Sequence, residues 1–147
     1  MKLETLHATA HKLMQEHGLH DWKFTTDKAV RRFGVCRHRT KTISMSEVIV
    51  KLNNEAEVID TLLHEIAHAL AGANVGHGIG WVLRARALGA KTERCYGEGV
   101  ITPPKKWLGT CPTCRKTIHR HRRKNIACAS CCRGRFDTAH KFVWTHI

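Results

Sequence analysis

The sequence predicts an α+β fold in two parts, and three observations support that prediction. Apolar residues recur at helical spacing in two long stretches, and shorter stretches between them alternate as strands do. Five of the seven cysteines lie after residue 110. The charge divides there too, because residues 1–100 carry 14 Lys and Arg against 11 acids, whereas residues 101–147 carry 11 against one, Asp137. We therefore predict a domain over residues 1–102 and a basic module over residues 103–147, joined at a Pro-Pro pair that stops a helix.

Local signals place the elements of the first part. Polar residues 38–41 lie between two alternating stretches and predict the turn of a hairpin. Helices combined with a few short strands indicate a small antiparallel sheet in an α+β domain. In order, the signals predict a helix from Leu3 to Met14, strands over residues 22–26, 33–37 and 42–45, a helix that begins at Asn54 and ends at Gly72 or Gly76, and a helix over residues 81–88 before Gly89.

Composition limits where the chain works and what it binds. No apolar run reaches the ~18 residues of a membrane span, and the first residues lack the apolar stretch of a signal peptide. We therefore expect no membrane partner and a cytoplasmic location, nucleoid-associated in a bacterium or nuclear in a eukaryote. The net charge of +13 predicts a polyanionic partner, although charge alone gives only non-specific attraction. In a reducing compartment the cysteines predict metal ligands or free thiols before disulfides.

The segment His64-Glu65-Ile66-Ala67-His68 lies in the strongest helical pattern of the chain. Residues four apart lie one above the other on a helix, so His64 and His68 present two imidazoles to one zinc ion. Glu65 lies about 100° around the helix and reaches a water at that zinc as general base, without entering the ligand set. The alternative is a pair of core histidines, but two imidazoles and a carboxylate among apolar residues need a metal or hydrogen-bond partners.

A catalytic zinc site requires a third protein ligand and an open position. His77 is the best candidate because the flanking Gly76 and Gly78 allow the chain to turn sharply back towards the helix. Two alternatives stay open at this point: His77 is an exposed loop residue, or Glu93 is the third ligand. The metzincin pattern does not fit, because its glycine and histidine positions are occupied by Ala71 and Asn74.

The combined pattern resembles the SprT-like, or Spartan-type, zinc metalloprotease domain. The motif His64-Glu65-x-x-His68 is followed by His77-Gly78-x-x-Trp81, and the stretches 22–24, 32–36 and 43–46 match the strand region of that domain in type and order. Many members also carry a C-terminal zinc ribbon, so the resemblance covers roughly residues 5–135. It implies a zincin-like fold with His64, His68 and His77 as zinc ligands and Glu65 as catalytic base. It further implies DNA-linked proteolysis, in which eukaryotic relatives degrade proteins crosslinked to DNA.

The tail contains two Cys-x-x-Cys knuckles, at residues 111–114 and 128–131. The spacing of Cys111, Cys114, Cys128 and Cys131 suits one tetrahedral structural zinc, which would supply much of the folding energy of so short a module. It is typical of a zinc ribbon, in which a β-hairpin joins the knuckles. Cys132 could replace Cys131, and a disulfide pair is the alternative to a metal. The cysteines most simply interpreted as packed or free thiols are Cys36, Cys95 and Cys132.

A run of cations lies between the knuckles. Arg and Lys side chains on a narrow ribbon contact phosphates, and neighbouring aromatic rings can stack on unpaired bases. We therefore predict DNA, including single-stranded DNA, as a partner, with a merely solvated basic face and a small aromatic core as the alternatives. The predicted nucleic-acid-binding residues are Arg115, Lys116, Arg120, Arg122, Arg123 and Lys124, and the aromatic residues are Trp107, Phe136, Phe142 and Trp144.

These features together predict a zinc-dependent metalloendopeptidase held on DNA, with one catalytic and one structural zinc and with DNA-bound or DNA-crosslinked proteins as substrates. Two other functions compete with it: a non-catalytic nucleic-acid-binding protein with a structural histidine site, and a zinc hydrolase of small substrates. The hairpin near residues 33–45 is a candidate edge strand for a substrate peptide. The candidate donors for an oxyanion are Tyr96, Arg84, Arg86 and Arg94.

Overall fold

The computed structural model describes residues 1–93 and 99–147 of the chain. The chain divides into two compact units, Met1–Pro103 and Pro104–Ile147. The boundary predicted after residue 102 lies one residue before this division. None of the helices in the described ranges has the length and apolar character that a bilayer-spanning segment requires.

The first unit contains four helices and three strands in its described residues. The α+β class is confirmed, and three of the helices follow the predicted periods. A six-residue helix, α2, was not predicted, because its three β-branched residues and its short length hide the helical period. The elements are α1 (Leu3–Glu16), β1 (Lys23–Asp27), β2 (Gly34–Arg37), β3 (Thr42–Ser46), α2 (Glu47–Leu52), α3 (Glu55–Ala71) and α4 (Ile79–Leu88).

The sheet of the first unit has the order β1-β3-β2 and is mixed. β2 and β3 form the predicted antiparallel hairpin, but β1 pairs with β3 in parallel, so the prediction of a wholly antiparallel sheet was wrong. The reason lies in β3, whose residues Ile43, Ser44, Met45 and Ser46 are all buried. Burial on both faces requires a central position, which places β1 beside β3 and makes the chain cross over through residues 28–33.

The main core lies where α1 and α3 cover this sheet. α1 contributes Leu6, Ala10 and Met14, which recur every four residues and are almost fully buried. α3 contributes Val58, Leu62 and Ile66 to this core, with the same spacing. One face of each helix therefore packs on the sheet. In α3 this leaves the faces that carry His64 and His68 at the edge of the core.

The ends of α3 follow from local chemistry. Asn54 caps the helix, and its Oδ1 accepts a hydrogen bond of 2.9 Å from the Glu57 backbone N–H. The Glu57 carboxylate accepts a hydrogen bond from Lys91 Nζ at 3.0 Å. Gly72, with φ of +99°, ends the helix, which decides between the two predicted glycines. α4 begins two residues before the predicted start and ends at Gly89 in the left-handed conformation.

The second unit is built on a three-stranded antiparallel sheet of order β5-β4-β6. Its strands are β4 (Trp107–Thr110), β5 (Thr117–Arg120) and β6 (Val143–His146), and a four-residue helix, α5 (Ala129–Cys132), carries the second knuckle. The predicted hairpin between the knuckles was wrong. The first knuckle is itself the turn of the β4–β5 hairpin, closed by the hydrogen bond from Cys111 N to Lys116 O at 2.9 Å, so residues 115–124 supply only one strand.

Two contacts stabilise this small unit. Cys111, Cys128 and Phe142 form a buried cluster, with Ile118 and Ile126 packed against it. The Trp144 ring lies against Gly109, where a Cβ would approach its ring carbons to 2.8–3.0 Å. Only glycine therefore fits beneath that indole.

A partly buried acid links β1 to the crossover and to β3. Asp27 Oδ2 accepts hydrogen bonds from both terminal nitrogens of Arg32 at 2.9 Å and from Ser44 Oγ at 2.5 Å, and Oδ1 accepts from Ala29 N at 2.9 Å. Burial raises the pKa of Asp27, but the hydrogen bonds from Ser44, Ala29 and Arg32 outweigh it and lower the pKa below its ordinary value. The ionised carboxylate therefore stabilises the folded domain.

We expect Asp27→Asn to lower the free energy of unfolding by about 2 kcal/mol at neutral pH, because the variant loses hydrogen bonds to a charged group. The folded-state pKa of Asp27 is lowered, so its contribution is complete above the unfolded pKa of about 3.9 and is lost as the pH falls through the folded value. Urea unfolding from pH 7 to pH 3 should therefore show wild type and variant converging below about pH 4. Asp21→Asn is the control, because its pair with Lys41 is solvent-exposed. A difference independent of pH would contradict the role of the charge.

Candidate metal centres

Three histidines of the first unit converge at one point. His64 and His68 lie one turn apart on α3, and His77 lies in the loop between α3 and α4. The Nε2 atom of His77 is 3.1 Å from the Nε2 of His64 and 3.1 Å from that of His68. One ligand atom from each ring lies within 4.8 Å of the others. The predicted triad is therefore brought together, and Glu93 is not part of it.

The loop that returns His77 to the helix depends on unusual backbone angles. Gly72, Asn74 and Gly76 have φ values of +99°, +65° and +57°, in or near the left-handed region. Three such residues in five positions reverse the chain within a short span. Gly78 is the residue before the start of α4, and its N–H donates to Val75 O at 3.2 Å. Glycine is needed at two of these positions because an L side chain rarely adopts them.

The Trp81 ring contacts all three imidazoles. Its side chain is fully buried, and its ring centroid is 4.6 Å from that of His64, 5.3 Å from His68 and 4.7 Å from His77. Its Nε1–H donates to the His64 carbonyl oxygen at 3.3 Å. A rigid indole in contact with every ring restricts their rotation. Trp81 therefore orients the three nitrogens towards a common point.

The electrostatics of the triad suit a metal ion. Burial, with the charge of the neighbouring imidazoles, lowers the pKa of His64 and of His68 to about 4. Both rings are therefore neutral at pH 7 and can offer a lone pair. A tetrahedral ion with N ligands at about 2.1 Å holds those nitrogens about 3.4 Å apart, close to the spacing found. The donor set thus fits a divalent transition metal with three protein ligands and one open position.

Glu65 lies beside the triad against β2. It is 5% exposed, and its carboxylate accepts a hydrogen bond from the Cys36 backbone N–H. Burial raises its pKa to about 7, although the charge of Arg32 and the Cys36 N–H act in the opposite direction. A Cβ on Gly34 would lie 2.8 Å from Glu65 Cγ and 3.2 Å from Thr61 Cγ2. The absence of a side chain at Gly34 therefore allows β2 to approach α3 this closely.

A pocket of about 610 Å³ opens in front of the triad. One wall is β2 with the residue that follows it, and the other is α3 with the His77 loop. Sequence reasoning missed Cys36 and His38 as lining residues, since it placed 38–41 in a turn. Cys36 Sγ is 3.8 Å from His38 Nε2, and burial, followed by the Glu65 charge, raises the pKa of the Cys36 thiol to about 12.

Two of the four candidate oxyanion donors are described, and neither is brought to this pocket. Arg84 and Arg86 are exposed on α4 and do not line it. Tyr96, Arg94 and the thiol of Cys95 lie outside the described residues.

The four predicted cysteines of the second unit also converge. The Sγ atoms of Cys111 and Cys131 are 3.9 Å apart, those of Cys114 and Cys128 are 3.6 Å apart, and all four lie within 4.8 Å. Cys132 is not a member of the cluster, because its Sγ is directed at the Asp137 carbonyl oxygen at 4.0 Å.

Local hydrogen bonds favour the thiolate form of the first cysteine in each knuckle. Backbone N–H groups of the first knuckle lower the pKa of Cys111 to about 6, and the Cys131 N–H lowers that of Cys128. Hydrogen bonds with the other thiols raise the pKa of Cys131 to about 12. A metal ion would have to displace that proton, as thiolate ligation requires.

The predicted cations differ in their settings. Arg115 and Lys116 are exposed beside the first knuckle, Arg120 lies on β5, and the side chains of residues 122–124 are exposed beyond that strand. The Arg123 guanidinium lies over the Trp107 ring, 4.8 Å from its centroid. The aromatic residues also differ in their exposure to solvent. Phe142 is buried in the core, whereas Phe136 is 57% exposed.

A helix with histidines at i and i+4, a third histidine returned by a loop and a small sheet against that helix define a zincin-like metal domain. In the sequence a four-cysteine module follows it. The model of the SprT-like family matches residues 3–99, about two thirds of the chain. The chain belongs to the SprT-like family, which confirms the resemblance found in its motifs and places it among metallopeptidase-type domains. No curated protein matches the chain at a significant level.

We expect Gly34→Ala to lower the free energy of unfolding by about 1–3 kcal/mol, because its methyl group would overlap Glu65 and Thr61 and separate β2 from α3. Chemical denaturation measures the loss. Gly80→Ala is the matched control, since its added Cβ meets only Val75 Cγ1 at 3.4 Å and alanine favours the helix. Equal stability of Gly34→Ala and wild type would show that the contact between β2 and α3 tolerates a side chain.

Proposed function

We propose that this chain is a zinc-dependent endopeptidase that acts on proteins bound or crosslinked to DNA. The observation that carries the proposal is the convergence of His64, His68 and His77 beside the carboxylate of Glu65 in an open pocket. Membership of the SprT-like family supports the same reaction class. A structural metal site closes with four protein ligands, whereas three histidines surround this one, which argues against the non-catalytic alternative.

His64, His68 and His77 would hold the catalytic zinc, and Cys111, Cys114, Cys128 and Cys131 a structural one. When bound at the histidines, zinc supplies a Lewis acid that polarises a carbonyl group and makes water more acidic. Trp81 keeps the imidazoles oriented, and the fixed orientation of ligands raises metal affinity.

Glu65 is the proposed general base. Its carboxylate takes a proton from the attacking water and returns it to the leaving amine, as in other zinc peptidases with this motif. The Cys36 N–H fixes the carboxylate, and burial keeps bulk water from competing with substrate for it. A buried carboxylate that holds a proton weakly near pH 7 is suited to both steps.

The proposed binding site for the substrate backbone is β2. Within the described residues it pairs with β3 along one edge, and its residues Gly34, Val35 and Cys36 line the pocket. An extended peptide can add to such an edge as a further strand, which would bring its scissile bond between Glu65 and the histidines.

The basic second unit is the proposed DNA-binding part. Eleven of its residues are Lys or Arg against one acid, counted from residue 101 onwards. Exposed cations beside a rigid cysteine cluster support binding to phosphates, and the exposed Phe136 could stack on an unpaired base. Single-stranded DNA is the proposed ligand, and the proposed location is the cytoplasm, on the nucleoid of a bacterium, or the nucleus of a eukaryote.

We expect two zinc ions per chain by elemental analysis of the purified protein. His68→Ala and Cys128→Ser should each retain one, because each removes a ligand from a different cluster. His11→Ala is the control, since His11 is exposed on α1 and outside both clusters. Two zinc ions in His68→Ala would remove the histidine cluster from its assigned role.

We expect cleavage of a DNA-binding protein substrate to increase when single-stranded DNA is added. Glu65→Gln should lower that cleavage at least 100-fold, because it removes the general base while keeping the size of the side chain. Glu55→Gln, at an exposed position on the same helix, should cleave like wild type. Gel analysis of the substrate with time measures both.

Equal cleavage by wild type and Glu65→Gln would refute the assignment of the base. Cleavage that needs Glu65 but ignores DNA would support the peptidase and remove the DNA-linked part of the proposal.

A further inference from the structure

Both cysteine knuckles are followed by an arginine in the left-handed backbone conformation. Arg115 directly follows the first knuckle with φ of +63°, and Arg133 follows the second by two residues with φ of +47°. Four non-glycine residues in the described ranges have positive φ, and the other two are Lys41 and Asn74. Half of the strained positions therefore lie at nearly equivalent places in the two knuckles, and both carry the same side chain.

Glycine would occupy these positions without strain, since it has no Cβ to meet the following carbonyl group. The chain has a glycine next to the second knuckle, but it is Gly134, one residue beyond Arg133. Both arginines are exposed, and within the described residues neither guanidinium makes a hydrogen bond or an ion pair. The backbone conformation belongs to the turn of each knuckle, but no side-chain contact inside the unit explains why arginine stands there, and both guanidinium groups are available to a ligand.

The backbone at both arginines is held firmly. The Arg115 N–H donates to Cys111 O at 3.1 Å, which closes the first knuckle. At the second knuckle, Cys132 N–H donates to Cys128 O at 2.9 Å and Arg135 N–H to Cys132 O at 3.1 Å. Each arginine thus projects from a fixed point within two residues of a clustered cysteine. Fixed attachment lowers the entropy lost when a side chain binds a ligand.

We propose that Arg115 and Arg133 form a pair of phosphate contacts, one from each knuckle, for the backbone of single-stranded DNA. The pair deepens the proposed function and rests on it. Guanidinium groups bind phosphate oxygens through paired N–H donors and carry their charge at every physiological pH. Arg133 lies outside the cationic run between the knuckles, so the contact surface extends across both knuckles instead of following that run alone.

A different role is possible on charge grounds. Four thiolates and one divalent metal ion carry a net charge of −2, and two nearby cations would offset it. In that case the arginines would hold the metal cluster and not DNA. Replacing the arginines distinguishes the two roles, because the first predicts weaker DNA binding and the second predicts faster release of the metal ion.

The test measures the affinity of the full, zinc-loaded chain for a labelled oligothymidylate strand as a function of salt. Arg115→Gln/Arg133→Gln removes two charges at the knuckles, and Lys105→Gln/Lys106→Gln removes two from exposed positions of the same unit. If each arginine makes one phosphate contact, the slope of log affinity against log salt falls by about 1.4, and affinity at 0.1 M salt falls about 25-fold. The lysine control should lose a few-fold at most.

A third variant, Arg115→Gly/Arg133→Gly, separates binding from structure. It relieves the backbone strain, so the chain should retain zinc against a chelator at least as well as wild type while binding DNA as weakly as the glutamine variant.

Three results would overturn the pair: an unchanged salt slope in both arginine variants, a loss no greater than that of the lysine control, or faster zinc release from the glycine variant. Wild type that fails to bind the strand at all would instead refute the DNA-binding part of the proposed function.

Discussion

The approach of β2 to α3 at Gly34 is the contact on which the core and the histidine site both depend. Because Gly34 has no Cβ, the Glu65 side chain can pack against the strand, with its Cγ 2.8 Å from the position that a Cβ of residue 34 would occupy. The orientation of α3 that places Glu65 against β2 also buries Val58 and Leu62 in the core. Residues 64 and 68 then reach the pocket on the adjacent face, because a helix fixes the angles between its side chains. One missing side chain thus determines the packing and the direction of the site.

The same contact explains which parts of the site could be predicted from the sequence. His64 and His68 follow from helical spacing, which is local, and His77 follows from glycines that mark a reversal of the chain. Cys36 and His38 could not be placed, because they reach the pocket only through the pairing of β2 with β3 and its packing on α3. Those pairings join residues far apart in sequence. The central position of β3 had no local signal either, because its sequence alternates between apolar and polar residues although both faces are buried.

The second unit shows the same division between local and long-range information. Cysteine spacing predicts the cluster because tetrahedral thiolate ligation constrains each knuckle locally. It does not specify which strands accompany the knuckles, and the hairpin forms around the first knuckle instead of between the two. The aromatic residues were ambiguous for a related reason. Gly109 makes room for the Trp144 ring inside the unit, while Phe136 stays exposed, and no periodicity distinguishes the two settings.

Rigid elements hold different groups in the two units, imidazoles in the first and arginines in the second. In the first, Trp81 and the glycine-rich loop hold three imidazoles together, and the pKa values of His64 and His68 are lowered there. A metal ion would stabilise that arrangement. In the second, the cysteine cluster fixes the backbone from which unpaired arginines project. A flexible basic tail could supply the same net charge, but each of its contacts would lose more side-chain and backbone entropy on binding. What the cysteine-centred unit offers beyond such a tail is therefore the fixed position of its cations, and not their number.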